Sequence, residues 1–181
     1  MKTLVIYTSQ TGFTKKYAEW IAGKLHADVI TSDEFKKRSD DSLKEYGTII
    51  YGGWASMGKI VKADLFYTRA RGWKNKRLAV YCVGAADADE PNMIESMKKV
   101  VPEDLRSTIV SFYCPGGLNY EKMNLYSKMM MKTYAAMLKK DESKKELGEL
   151  CSHSFDHSDP FYIEPIVSWA NGVADTSTKL A

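Results

Sequence analysis

Lys2-Thr3-Leu4-Val5-Ile6-Tyr7-Thr8-Ser9-Gln10-Thr11-Gly12-Phe13-Thr14-Lys15-Lys16-Tyr17 is the start of a stretch, Lys2 to Leu25, whose reading decides the rest of the chain. Leu4 to Tyr7 is an unbroken apolar run. Such a run suits a strand covered on both faces, as in a parallel sheet. Tyr17, Ala18, Ile21, Ala22 and Leu25 then recur at the spacing of one helical face. Between the two lie the hydroxyls of Thr8, Ser9, Thr11 and Thr14, with Gln10, Gly12 and Phe13 among them. Hydroxyls and free backbone N–H groups at a helix N-terminus form an anion site, and phosphate is the usual occupant. Lys15 and Lys16 stand in the first turn, where cations oppose the helix dipole unless an anion lies near. The alternative is a strand–helix turn that is simply rich in good N-caps.

The bulk properties fit that opening. A chain of 181 residues, 44% hydrophobic and 27% charged, is long enough to bury a core without disulfides or metal, and is expected to form one domain over 1–181. Cys82, Cys114 and Cys151 make an odd number without metal-ligand spacing, so a reduced, cytoplasmic setting is expected. The chain enters directly into a strand with no signal-peptide pattern, and no apolar run reaches the roughly 20 residues of a membrane span. A net charge of +3 is too small to imply nucleic acid, and no nucleic-acid partner is expected.

Along the chain, strand and helix patterns alternate. Strands are expected at 27–31, 46–51, 78–83 and 108–114, with helices from Lys59 to Arg71 and from Pro91, the latter buried through Met93, Ile94, Met97, Val100 and Val101. The charged segment Ser32 to Lys44 reads as a solvated connection. The alternation predicts an α/β fold, a doubly wound parallel sheet of five strands. Ligands of such sheets bind beyond the carboxyl ends of the strands, at the switch point. Three loops fall there. Residues 8–14 suit a phosphate; Gly52 to Gly58, with Gly53, Trp54, Ala55, Ser56 and Met57, offer an aromatic ring and close backbone; Gly84, Ala85 and Ala86 offer N–H groups for the polar edge of a flat ring. Together they describe an FMN site. For Trp54 the alternative is a packing residue, and Asp87, Asp89 and Glu90 read as a solvated loop.

Ser9-Gln10-Thr11-Gly12-Phe13-Thr14 resembles the phosphate loop of flavodoxins, which in that family wraps the FMN monophosphate. The later chain narrows the likeness. Tyr113, Gly116 or Gly117, and Tyr120, followed by the basic Met-rich helix pattern Met123 to Lys132, resemble the menaquinone-dependent protoporphyrinogen oxidase branch of flavodoxin-like proteins. Cys114-Pro115 stand where that branch usually carries an arginine, and the 52–58 loop differs in its aromatic residue. The chain also lacks the strongly acidic balance of small electron-carrier flavodoxins. The resemblance implies an FMN oxidoreductase that moves electrons between an organic donor, a porphyrinogen among them, and a quinone-type acceptor. The contrasting expectations are an electron carrier that docks on redox proteins, and a non-catalytic binding domain on the same fold.

The insert, about 115–160, is expected to hold a helix from Glu121 to Lys140 before a last helix from Glu164 to Ala174. Its apolar stripe would be Met123, Tyr126, Met130, Tyr134, Met137 and Leu138, with Lys128, Lys132 and Lys139 on another face. That helix reads either as a packed structural element or as a surface for a lipophilic substrate, a redox partner or the inner face of a membrane. No His/Asp/Ser or Cys/His constellation stands out, and the redox chemistry would belong to the flavin. His153 and His157 lack a third ligand, and no metal is expected.

Overall fold

The computed structural model describes residues 1–173. In chain order its elements are β1 (Lys2–Tyr7), α1 (Phe13–Leu25), β2 (Asp28–Thr31), α2 (Ser32–Lys37), β3 (Tyr46–Ser56), β4 (Lys59–Ile60), α3 (Asp64–Ala70) and β5 (Arg77–Gly84). There follow α4 (Met93–Val100), β6 (Ile109–Pro115), β7 (Gly117–Leu118), α5 (Leu125–Leu138), α6 (Lys145–Leu150), β8 (Phe155–Asp156) and α7 (Glu164–Ala170). The strands β2, β1, β3, β5 and β6 lie side by side in that order, all parallel, with helices on both faces. This is the doubly wound arrangement with its switch point between β1 and β3.

The unbroken apolar runs divide by the two-residue period of a strand. Leu4, Ile6, Ile49, Tyr51, Val80 and Cys82 pack under α2, α3 and α4, together with Phe35, Phe66 and Met97. Val5, Ile50, Ala79, Tyr81 and Val83 point the other way, onto Tyr17 and Ile21 of α1 and Ile166 of α7. The inner strands β1, β3 and β5 therefore carry apolar residues at consecutive positions, where the edge strands β2 and β6 admit polar ones.

Four expectations need correction. Ser32 to Lys44 is not merely a solvated connection: α2 begins on a capping box, with Thr31 Oγ1 accepting from the Glu34 N–H and Glu34 accepting from the Thr31 N–H. It buries Phe35, and Leu43 is buried just beyond it. The 52–58 loop is instead the end of β3 running to Ser56, a turn at Met57-Gly58 and the antiparallel strand β4, so the following helix starts at Asp64 rather than Lys59. Ile94 is exposed, not buried. The last helix ends at Ala170, and its expected final residue, Ala174, lies outside the described residues.

The insert forms a satellite to the main domain. Leu118, Ala135, Leu138 and Cys151 make a small buried cluster, covered by Met123, Met131 and Phe155. The inward stripe of α5 is thus Met131, Ala135 and Leu138. Leu125, Tyr126, Met129, Met130, Tyr134 and Met137 are 42–84% exposed, so most of the predicted stripe faces solvent. Lys139 lies inward on Gly148 and pairs with Glu149 at 2.8 Å.

Candidate functional site

The segment from Thr8 to Thr14 connects the carboxyl end of β1 to α1. The Thr8 N–H donates to the Gly52 carbonyl at 2.9 Å, tying the loop to β3 at the switch point. The Gly12 N–H donates to Ser9 Oγ at 3.1 Å, which curls the loop. Gly12 sits at φ 105, a conformation only glycine adopts without strain, and this turns the chain into the helix. No side chain caps α1, and its first turn contains no acid. Its first N–H groups therefore have no partner within the helix. Thr8, Thr14 and Thr48 are the buried polar residues of the described chain, and two of the three lie in this loop. A turn of uncapped N–H groups, buried hydroxyls and no carboxylate fits a phosphate.

Charge around the loop was only half legible. Lys15 lines a cavity of about 390 Å³ with Thr8, Ser9, Gln10 and Gly12, joined by Lys62 and Lys122. Lys16 turns away from it. Its Nζ bonds to Asp156 at 2.9 Å and Ser158 at 2.8 Å and lies 5.2 Å above the Trp20 ring. Lys16 therefore belongs to the packing of the tail against α1, a correction to its expected part in the anion site. Lys62 and Lys122 could not be read as loop neighbours from sequence, since each is far away along the chain. Ser127 Oγ donates to Gln10 Oε1 at 3.0 Å, which brings the start of α5 to the same loop.

The second loop keeps Trp54 half-buried at the end of β3, paired in register with Val83, while Ala55, Ser56 and Met57 are exposed. Trp54 enters none of the aromatic pairs found among the described residues, which leaves its ring free of a packing partner of that kind. The glycines before it stand close to other parts of the protein. A Cβ on Gly52 would collide with the Tyr81 ring, and one on Gly53 would lie 2.6 Å from the Ile60 side chain. Both make room for side chains of the protein's own core.

The third loop is fixed from below. The Tyr113 hydroxyl donates to the Ala86 carbonyl at 2.7 Å, and the Gly116 N–H donates to the Gly84 carbonyl at 2.7 Å. Ala85 packs on the satellite cluster. The Gly116 carbonyl in turn accepts from the His157 N–H at 2.7 Å, and Tyr120 Oη donates to the Cys151 carbonyl at 2.6 Å. The Tyr113–Gly116–Tyr120 motif is therefore a framework that joins the third loop to the tail. His157 Nδ1 stands 3.4 Å from Asp87 Oδ1. Sequence offered no sign of that pair, because 70 residues separate its members.

The three cysteines are buried and are not poised as nucleophiles. Burial pushes the Cys82 thiol up to about 12 and raises Cys114 and Cys151 as well, so none is a thiolate near neutral pH. Burial likewise raises the Tyr113 and Tyr81 hydroxyls, which stay neutral donors to backbone carbonyls. Among the described residues no group of three His, Cys, Asp or Glu side chains could hold a metal, and no helix is long and apolar enough to cross a membrane.

No curated protein matches the chain. Among solved structures, it is similar to the flavodoxin, WrbA-like protein from Agrobacterium tumefaciens, at 16% identity over 82% of this chain and 97% of that one, with a TM-score of 0.47. It is also similar to a flavodoxin from the domain Archaea, at 18% identity over 84% of this chain and 100% of that one, TM-score 0.40. A third is the rubredoxin oxygen:oxidoreductase of Desulfovibrio gigas, at 10% identity over 83% of this chain and 35% of that one, TM-score 0.47. A flavodoxin-domain family model matches residues 4–145, which takes in most of β1, the other four parallel strands, all three loops and α5. With the 2-1-3-5-6 sheet and the uncapped hydroxyl loop at its switch point, that match makes the chain a member of the flavodoxin-domain family.

Proposed function

We propose that the protein binds FMN non-covalently and passes electrons between an organic donor and a quinone-type acceptor. The observation that carries the reading is the loop after β1: uncapped N–H groups, two buried threonines and no acid, at the switch point of a flavodoxin-domain sheet. Bound there, the isoalloxazine would supply the redox chemistry. The chain's own residues bind and orient. Thr8 to Thr14 hold the phosphate through hydroxyl and backbone donors. Gly53 to Met57 and Gly84 to Ala86 hold the ring, the second group on a loop whose carbonyls are already engaged by Tyr113 and Gly116. A loop fixed in that way keeps its N–H groups in one orientation, so little reorganises when charge changes on a ligand.

The acceptor side rests on α5. Its exposed face of Leu125, Tyr126, Met129, Met130, Tyr134 and Met137 begins beside the phosphate loop and is flanked by Lys128 and Lys132. Adaptable methionines and aromatic rings suit a flat lipophilic molecule. The lysines suit anionic headgroups at the inner face of a membrane that carries a quinone. A porphyrinogen is the donor that the sequence resemblance implies. The same exposed face also serves the alternative reading, an electron carrier that docks on a redox protein and turns over no substrate.

Purification and an absorption spectrum with and without added FMN test the cofactor. Anaerobic reoxidation of the reduced protein by a soluble quinone tests the acceptor: rapid reoxidation supports the oxidoreductase, and none beyond the rate of free flavin leaves the carrier. A protein that neither carries nor takes up flavin overturns both.

A further inference from the structure

Gly12, at the turn into α1, has an unusual neighbour. A Cβ built on it would lie 3.9 Å from the Nζ of Lys122, a residue of the insert. Three lysines border the loop's cavity, and they differ in one respect. Lys15 pairs with Glu19 at 3.6 Å and Lys62 pairs with Asp33 at 3.4 Å. Lys122 forms no ion pair among the described residues. Its backbone is nevertheless held: the Lys122 N–H donates to Asn119 Oδ1 at 3.1 Å, and the Tyr120 N–H donates to Ser154 Oγ at 3.0 Å. Lys122 is exposed, and Asp33, the carboxylate that borders the same cavity, is paired with Lys62, so an anion held at the acid-free helix N-terminus would meet Lys122 as an unpaired cation.

We propose that Lys122 is a binding residue for the cofactor phosphate, so that the insert senses whether the phosphate site is filled. The inference rests on the FMN reading above and goes beyond it, because it makes the insert part of the phosphate site. Lys122 at Gly12, and Ser127 Oγ on Gln10 Oε1, bring the stretch around the start of α5 to the loop. Among the described residues, the side-chain hydrogen bond that joins α5 to that loop is the neutral Ser127–Gln10 bond. With phosphate present, a charge-assisted contact is added on the same side of the insert. Occupancy of the phosphate site then fixes the start of α5, whose exposed apolar face is the candidate acceptor surface.

The test compares FMN with riboflavin, which lacks the phosphate, by titrating flavin fluorescence in the wild type, Lys122→Met and Lys15→Met. The wild type should prefer FMN. Lys122→Met should lose about tenfold in FMN affinity, with riboflavin affinity unchanged, and Lys15→Met should lose less because its charge is already paired. Raising the salt concentration should narrow the difference between wild type and Lys122→Met, since the contact is exposed to screening. Hydrogen exchange gives an independent readout. FMN should slow exchange across residues 119–131 of the wild type more than riboflavin does, and Lys122→Met should erase that excess. A Lys122→Met protein that keeps the full preference for FMN over riboflavin overturns the proposal while leaving the FMN reading intact. A wild type that takes up neither flavin removes both.

Discussion

Replacing Thr11 and Thr14 by valine removes two hydroxyls from the loop while changing side-chain shape very little. Thr14 is 2% exposed, so its valine substitute fills the same space, and its carbonyl still accepts from Tyr81 Oη at 3.1 Å. The fold should therefore hold, with the apo melting temperature shifted by no more than about 2 °C. Binding should not hold. A hydrogen bond to a charged phosphate contributes about 1.5–3 kcal/mol, a factor of roughly 10–150 in Kd for each hydroxyl. Both act on the same ligand, so their effects need not add, and a combined loss of about 100-fold or more is expected. Fluorescence titration of the apoprotein with FMN measures it, with riboflavin as the control that lacks the phosphate. Riboflavin affinity should stay within about twofold of the wild type, because a neutral hydroxymethyl group gains little from the lost donors. Equal FMN affinity in the wild type and the double variant would refute the phosphate assignment. Equal loss for FMN and riboflavin would show that the threonines support the site's shape rather than a charge.

Three further outcomes follow from other parts of the molecule. Trp54→Ala should restore part of the flavin fluorescence that binding quenches, and a variant that quenches as fully as the parent means that another group stacks on the ring. Tyr17 Oη donates to the buried Pro115 carbonyl at 2.5 Å and receives the Asp159 N–H at 3.3 Å, so Tyr17→Phe leaves that carbonyl unpaired. The cost is about 1–3 kcal/mol, a fall in melting temperature of roughly 2–12 °C; an unchanged thermal midpoint would contradict it. Replacing Tyr126, Met129, Met130 and Met137 by glutamine and serine should spare FMN binding but slow reoxidation by quinone, and Lys128→Glu with Lys132→Glu should weaken binding to anionic vesicles in a salt-dependent way. Excising the whole insert is a poorer experiment, since it would also remove the Gly116–Gly84 bond beneath the third loop. Quinone turnover that survives all of these changes would make α5 structural and favour the carrier.

What the sequence determined by itself is whatever depends on neighbours along the chain. Leu4 to Tyr7, Tyr46 to Tyr51 and Leu78 to Val83 read as strands buried on both faces because consecutive apolar residues permit nothing else in a soluble sheet, and the structure pairs them in parallel. The hydroxyl loop was legible for the same local reason: one turn of a helix N-terminus holds all of its donors. Even the missed α2 carried its signal, Thr31-Ser32-Asp33-Glu34, a capping box masked by the charges around it. Other features depended on contacts that sequence spacing does not encode. Gly52 and Gly53 had the expected smallness, but only the fold named the groups packed against them, the Tyr81 ring and the Ile60 side chain. The 3.6-residue period of α5 marked an apolar stripe, yet period alone cannot tell which side meets the domain. Packing chose Met131, Ala135 and Leu138, the residues that face the satellite cluster, and left Tyr126, Met130 and Tyr134 in solvent. The meeting of Lys122 and Ser127 with a loop more than a hundred residues earlier was decided only by the fold, because it takes the return of β6 to the sheet to bring the insert back over α1.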